Sequence, residues 1–158
     1  TRAGSKDCRE AGAVARAGCK SEKQKLATEN TEVTEIAVAD QLTEKIIAAA
    51  IEVHKNLGSG LLESIYEEAL CIELELMGLL FQRQVAVDVM YKGHAIQGQR
   101  LDMLVANEVI VEIKSMRALP EVATAQVLSY LKATGLKRGL LLNFGERQMV
   151  GGVKRISL

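Results

Sequence analysis

From Asp40 onward, Leu42, Ile46, Ile47, Ala50, Ile51, His54 and Leu57 recur at steps of three and four residues, which predicts a helix with one apolar face. Gly58 stops it. A second helix is expected from about Leu61 to Met77, with Leu62, Ile65, Tyr66, Ala69, Ile72 and Leu76 on its inner face and Gly78 at the left-handed C-cap position. The period then falls to two. Gln84 to Tyr91 alternates and is rich in β-branched residues, Lys92-Gly93 is a turn, and Ala95 to Val105 returns as a second extended run. Ala106-Asn107-Glu108 makes another turn before Val109 to Lys114, so three strands form a meander. Pro120 opens a further helix that runs to Thr134, because its missing N–H costs nothing at a helix start. Gly139 to Phe144 is an apolar run typical of a buried strand, and a short edge strand near Val153 to Ile156 closes the pattern. These elements define an α/β domain over residues 39–158.

Residues 1–38 differ. They carry no aromatic residue and no sustained apolar period, so they bury too little surface to offset the entropy of ordering. A disordered or loosely helical extension is expected there, and an opening Thr rather than Met fits a fragment, a processed product or an upstream extension.

Composition adds four constraints. With 48% hydrophobic and 25% charged residues, the chain can bury a core without disulfides. Cys8, Cys19 and Cys71 lack paired ligand spacing, which points to a reducing, cytoplasmic setting. No apolar run reaches the ~20 residues that cross a bilayer, so a soluble protein is expected. Net charge is zero, from 20 basic and 20 acidic residues, which argues against holding nucleic acid by cationic surface alone.

The candidate chemistry lies on the third strand. In Glu112-Ile113-Lys114 the strand period of two places both charged side chains on one face, where they are costly to desolvate unless they pair or bind something. Asp102 lies on the preceding strand. A hairpin turning at Ala106 to Glu108 sets Asp102 opposite Glu112, since each pair of positions sums to the same value. Two converging carboxylates suit Mg²⁺ or Mn²⁺, which prefer oxygen ligands. Lys114 would hold an attacking water or stabilise the transition state, and the implied reaction is phosphodiester hydrolysis. The spacing alone also fits an exposed salt pair on an ordinary strand.

The wider pattern resembles a known family. Gly60-Leu61-Leu62-Glu63-Ser64-Ile65-Tyr66 is similar to the signature of the GxxExxY proteins, within the PD-(D/E)XK nuclease superfamily. Further similarity lies in His54 to Gly58, Arg100-Leu101-Asp102, Val111 to Lys114, Gln126 to Leu131 and Leu141 to Gly145. The resemblance implies a restriction-endonuclease-like core, a mixed sheet of four to five strands flanked by helices. It also implies Asp102 and Glu112 as metal ligands, with Lys114, Glu63, Gln126 and Tyr130 as catalytic-site residues. Leu101 stands where the superfamily's named proline would be, and that proline takes no part in the chemistry.

The expected partner is nucleic acid, DNA before RNA, with no membrane, and homo-oligomerisation stays open. A non-cleaving nucleic-acid-binding or regulatory module on the same fold is the alternative, and a scaffold in which Glu112 and Lys114 merely pair is a third. Glu63 with Tyr66 also reads as a first-turn acid beside a core tyrosine. His54 reads as a hydrogen-bonded core histidine, and His94 as an exposed turn residue. Arg83, Lys92, Arg100, Lys137 and Arg138 read as a solvated surface more readily than as a phosphate track.

Overall fold

The computed structural model describes residues 41–158, and the extension expected over residues 1–38 lies outside them. Helix α1 covers 41–57. It ends where Gly58, at φ 69°, takes the left-handed conformation and donates its N–H to the His54 carbonyl at 2.8 Å. Then follow α2 (Glu63–Leu76), β1 (Phe81–Tyr91), β2 (His94–Val105), β3 (Val109–Lys114), α3 (Glu121–Thr134), β4 (Arg138–Asn143), one turn of 3₁₀ helix (Met149–Gly152) and β5 (Val153–Ser157).

The five strands form one sheet in the order β1-β2-β3-β4-β5. All neighbours are antiparallel except β3 and β4, whose parallel pairing requires a crossover, supplied by α3. The two turns of the meander show why the chain reverses there. Lys92 and Gly93, and likewise Ala106 and Asn107, all have positive φ, the mark of type I′ turns whose twist matches the flanking strands. The fold is therefore α/β, with a mixed five-stranded sheet flanked by helices, as the sequence implied.

Two apolar layers hold the sheet. On one face Ile46, Ala50 and Val53 of α1 and Tyr66, Leu70 and Leu74 of α2 pack on Met103, Val105, Val109, Val111 and Ile113. On the other, Ala123, Val127 and Leu131 of α3 pack on Leu101, Ile110 and Leu141. The inner face of α2 corrects the sequence reading. Tyr66 and Leu70 are fully buried, whereas Leu62, Ile65, Ile72 and Leu76 are exposed. The helix carries two apolar stripes, and its period alone does not say which one meets the sheet. Among the described residues, no helix is long and apolar enough to cross a membrane.

Candidate active site

Alternation along β3 positions the central pair. Val109, Val111 and Ile113 enter the core under α1 and α2, while Ile110 enters the core under α3. Glu112 and Lys114 thus fall on the α3 side. Glu112 is only 1% exposed, and Lys114 Nζ donates to its Oε1 at 2.7 Å. Glu112 Oε2 is buried with no hydrogen-bond partner. A buried carboxylate oxygen without a donor is rare, because its lost hydration goes uncompensated.

Asp102 reaches this pair through a fork in the sheet. The β2–β3 rungs are Val105↔Val109, Leu104↔Ile110 and Met103↔Val111, the register that the turn position implied. The rung that would join Asp102 to Glu112 is not formed. Instead Asp102 Oδ2 accepts the N–H of Ile113 at 2.8 Å, so a side chain continues the pairing where the main chains diverge.

The electrostatics follow from burial. The carboxyl groups of Asp102 and Glu112 are both pushed above the ordinary carboxylate range, chiefly by desolvation. For Asp102 the Ile113 N–H and then Lys114 oppose the shift, and for Glu112 its bond to Lys114 does. Burial works to lower the Lys114 pKa, but the bond to Glu112 and the fields of Glu112, Asp102 and Glu63 overcome it and leave it raised. One ammonium thus serves three acidic neighbours, and the excess negative charge favours a cation.

The other expected residues surround this centre. Glu63, in the first turn of α2, accepts the N–H of Ser115 at 3.2 Å, while Ser115 Oγ donates to the Leu61 carbonyl at 2.6 Å. The start of α2 is thereby stapled to the end of β3. Gln126 Nε2 donates to Tyr130 Oη at 2.8 Å, and Tyr130 Oη donates to the Arg100 carbonyl at 2.9 Å. This pair forms a wall on α3, and neither side chain hydrogen-bonds to Asp102, Glu112 or Lys114. Burial raises the Tyr130 pKa, its bond to Gln126 opposes this, and the charges of Glu112 and Asp102 add to the rise.

Tyr66 and His54 have structural partners. Tyr66 Oη donates to the Gly58 carbonyl at 2.8 Å and accepts the Leu61 N–H at 3.1 Å, and its ring stacks on Phe144 at 4.4 Å. It ties down the turn between α1 and α2. His54 Nε2 lies 2.9 Å from the Glu146 carbonyl.

Sequence reasoning missed two supports. Asn143 is fully buried; its Oδ1 accepts the N–H groups of Met116 and Gly145, and its Nδ2 donates to the Met116 carbonyl. This pins the loop leaving Lys114. Gly145 must lack a side chain, since a Cβ there would lie 2.2 Å from the Met116 carbonyl oxygen. The polar Asn143 within the apolar run Leu140-Leu141-Leu142 was the available signal. The second support is Glu67, whose oxygens accept from Arg83 and Gln84. Arg83 is exposed, as the sequence suggested, and these bonds also anchor it.

Among the described residues no group of three or more His, Cys, Asp or Glu side chains is gathered closely enough to hold a metal ion. A cation here would rest on two carboxylates, and the orphaned Glu112 oxygen and the acid excess fit a hard cation with oxygen ligands.

A forked sheet presenting two acids and a lysine, flanked by helices on both faces, is the architecture of a nuclease-like α/β domain. The family model of the PD-(D/E)XK nuclease superfamily matches residues 40–156, and the chain belongs to that superfamily, which suggests a nuclease. Neither a curated protein nor a solved structure matches the chain.

Proposed function

We propose that this protein is a divalent-metal-dependent nuclease that hydrolyses phosphodiester bonds, with DNA as its substrate, and that it belongs among the GxxExxY members of the superfamily. The observation that carries the reading is the buried, partnerless Glu112 Oε2 beside Lys114 and the anchored Asp102. An unpaired acceptor in that position costs stability, and an Mg²⁺ or Mn²⁺ ion held by Asp102 and Glu112 would remove the cost. Such an ion supplies an acidified water and neutralises charge on a phosphodiester.

The chain's own residues then have separate tasks. Asp102 is a fixed carboxylate because the Ile113 N–H orients it. Lys114 keeps its proton, since the surrounding acids raise its pKa, and its ammonium is suited to stabilising negative charge on a phosphate oxygen. Gln126 and Tyr130 offer polar groups from α3 along one wall, and Glu63 fixes the loop after Lys114 while adding negative charge. The free, buried Cys71, whose thiol burial pushes up to about 11, suits a reducing cytoplasmic setting.

Incubation of the protein with plasmid, linear duplex and single-stranded DNA, with Mg²⁺ or Mn²⁺ and with chelator, tests the proposal. Metal-dependent cleavage that disappears in Lys114→Ala and Asp102→Ala is expected. DNA binding without cleavage under any metal would favour the non-cleaving module, and absence of both would sink the reading.

A further inference from the structure

The described surface outside the site offers an exposed apolar stripe on α2 and a shallow groove beside Arg100, but the strongest unexplained feature is a strained residue inside β1. Gln84 has φ 51°, the left-handed region that non-glycine residues avoid within strands. It sits at a gap in the ladder. Arg83 pairs with Met103 and Val85 with Leu101, while the intervening rung, Gln84 with Asp102, is missing.

The side chains explain how the strain is held. Successive strand residues normally point to opposite faces, yet Arg83 Nε and Gln84 Nε2 both reach Glu67, at 2.9 Å to Oε1 and 2.9 Å to Oε2 respectively. The positive φ at Gln84 lets both side chains reach one carboxylate. Glu67 is itself nearly buried, on the inner face of α2 beside Tyr66 and Leu70. Across the gap, Leu101 packs in the cluster under α3 while Met103 packs in the cluster under α1 and α2. The face alternation of β2 therefore breaks at Asp102, the residue whose carboxylate turns to the Ile113 N–H.

We infer that Glu67 and Gln84 are positioning residues for Asp102: the Glu67 carboxylate holds Gln84 in its left-handed conformation, which frees Asp102 from β1 and lets its side chain bridge to β3. The inference builds on the reading of Asp102 as a metal carboxylate. A simple brace between α2 and β1 would need only Arg83, which also contacts Glu68 at 2.8 Å, and would leave the strain at Gln84 without a purpose.

The test uses the full chain and the variants Glu67→Gln, Gln84→Ala and Gln84→Gly, the last keeping the left-handed conformation accessible without the tether if the alanine variant does not fold. Hydrogen exchange of the Ile113 amide is measured without metal, and Mn²⁺ affinity by titration. The folded Glu67→Gln and Gln84→Ala variants are expected to lose Ile113 protection by ~10-fold or more relative to Val111, and Mn²⁺ affinity by ~10–100-fold, as for other residues that orient metal ligands, while Gln84→Gly, which reaches positive φ without the tether, loses less of both. Stability loss with Ile113 protection and Mn²⁺ affinity both unchanged would overturn the inference. If the wild-type protein binds no Mn²⁺, the metal reading fails, and Ile113 protection alone decides whether Glu67 and Gln84 position Asp102.

Discussion

Asp102 Oδ2 accepts the main-chain N–H of Ile113 at 2.8 Å, and this bond joins the acid of one strand to the strand bearing the other acid and the lysine. It explains how β2 and β3 separate without leaving the Ile113 donor unsatisfied. The fork needs an acceptor of aspartate length.

Asp102→Ala removes that acceptor and Asp102→Asn keeps an oxygen in its place. The alanine variant is expected to be less stable than the asparagine variant by ~1–3 kcal/mol, the cost of a buried donor without a partner. Urea denaturation of the metal-free proteins measures the difference. Equal stabilities would mean that the bond does not hold the fork.

The acids should show their burial in the pH dependence of stability. The folded-state pKa of Glu112 is raised above its ordinary value of 4.5, mainly by desolvation. The folded state therefore binds this proton more tightly than the unfolded chain does. The resulting stabilisation is complete below pH ~4.5 and is lost as pH rises through the raised folded-state value. Relative to Glu112→Gln, metal-free wild-type protein should lose stability as pH rises from 4 to 8. A gap between the two that does not change with pH would contradict the assigned burial effect.

Asn143→Ala leaves two main-chain N–H groups and one carbonyl around Met116 without their partner. A loss of ~2–4 kcal/mol is expected, from more than one unsatisfied buried group. Thermal or denaturant melts check this, and a loss below about 0.5 kcal/mol, the level of ordinary surface substitutions, would show that the loop is held by other contacts.

Tyr66→Phe separates a structural from a chemical role for the signature tyrosine. It keeps the ring stacked on Phe144 and removes the hydroxyl that joins Gly58 to Leu61. Stability should fall by ~1–2 kcal/mol while Mn²⁺ affinity, read by titration, stays at the wild-type level. A large drop in affinity would move Tyr66 into the site.

Much of this was legible in the chain, and particular residues show where legibility stopped. The turn at Ala106 and Asn107 fixed the register that brings Asp102 beside Glu112, because a hairpin turn leaves few alternatives. The face of Glu112 and Lys114 followed from the strand period. Glu63 and Tyr66 were visible as a pair, but their partners Ser115, Gly58 and Leu61 are set by tertiary packing. The inner face of α2 is not legible from its period, because Leu62, Ile65, Ile72 and Leu76 form an exposed stripe as apolar as the buried one of Tyr66, Leu70 and Leu74. Gln84 read as an ordinary strand residue, since nothing in local propensity marks a glutamine that a distant glutamate holds at positive φ.

If Asp102 and Glu112 share one divalent cation, anomalous diffraction from crystals soaked in Mn²⁺ will locate it. A single strong peak is expected, with oxygens of both carboxylates at ~2.0–2.6 Å, the range of such ligands. Crystals with no peak there, or with Mn²⁺ bound only elsewhere while Lys114 still holds Glu112, would contradict it.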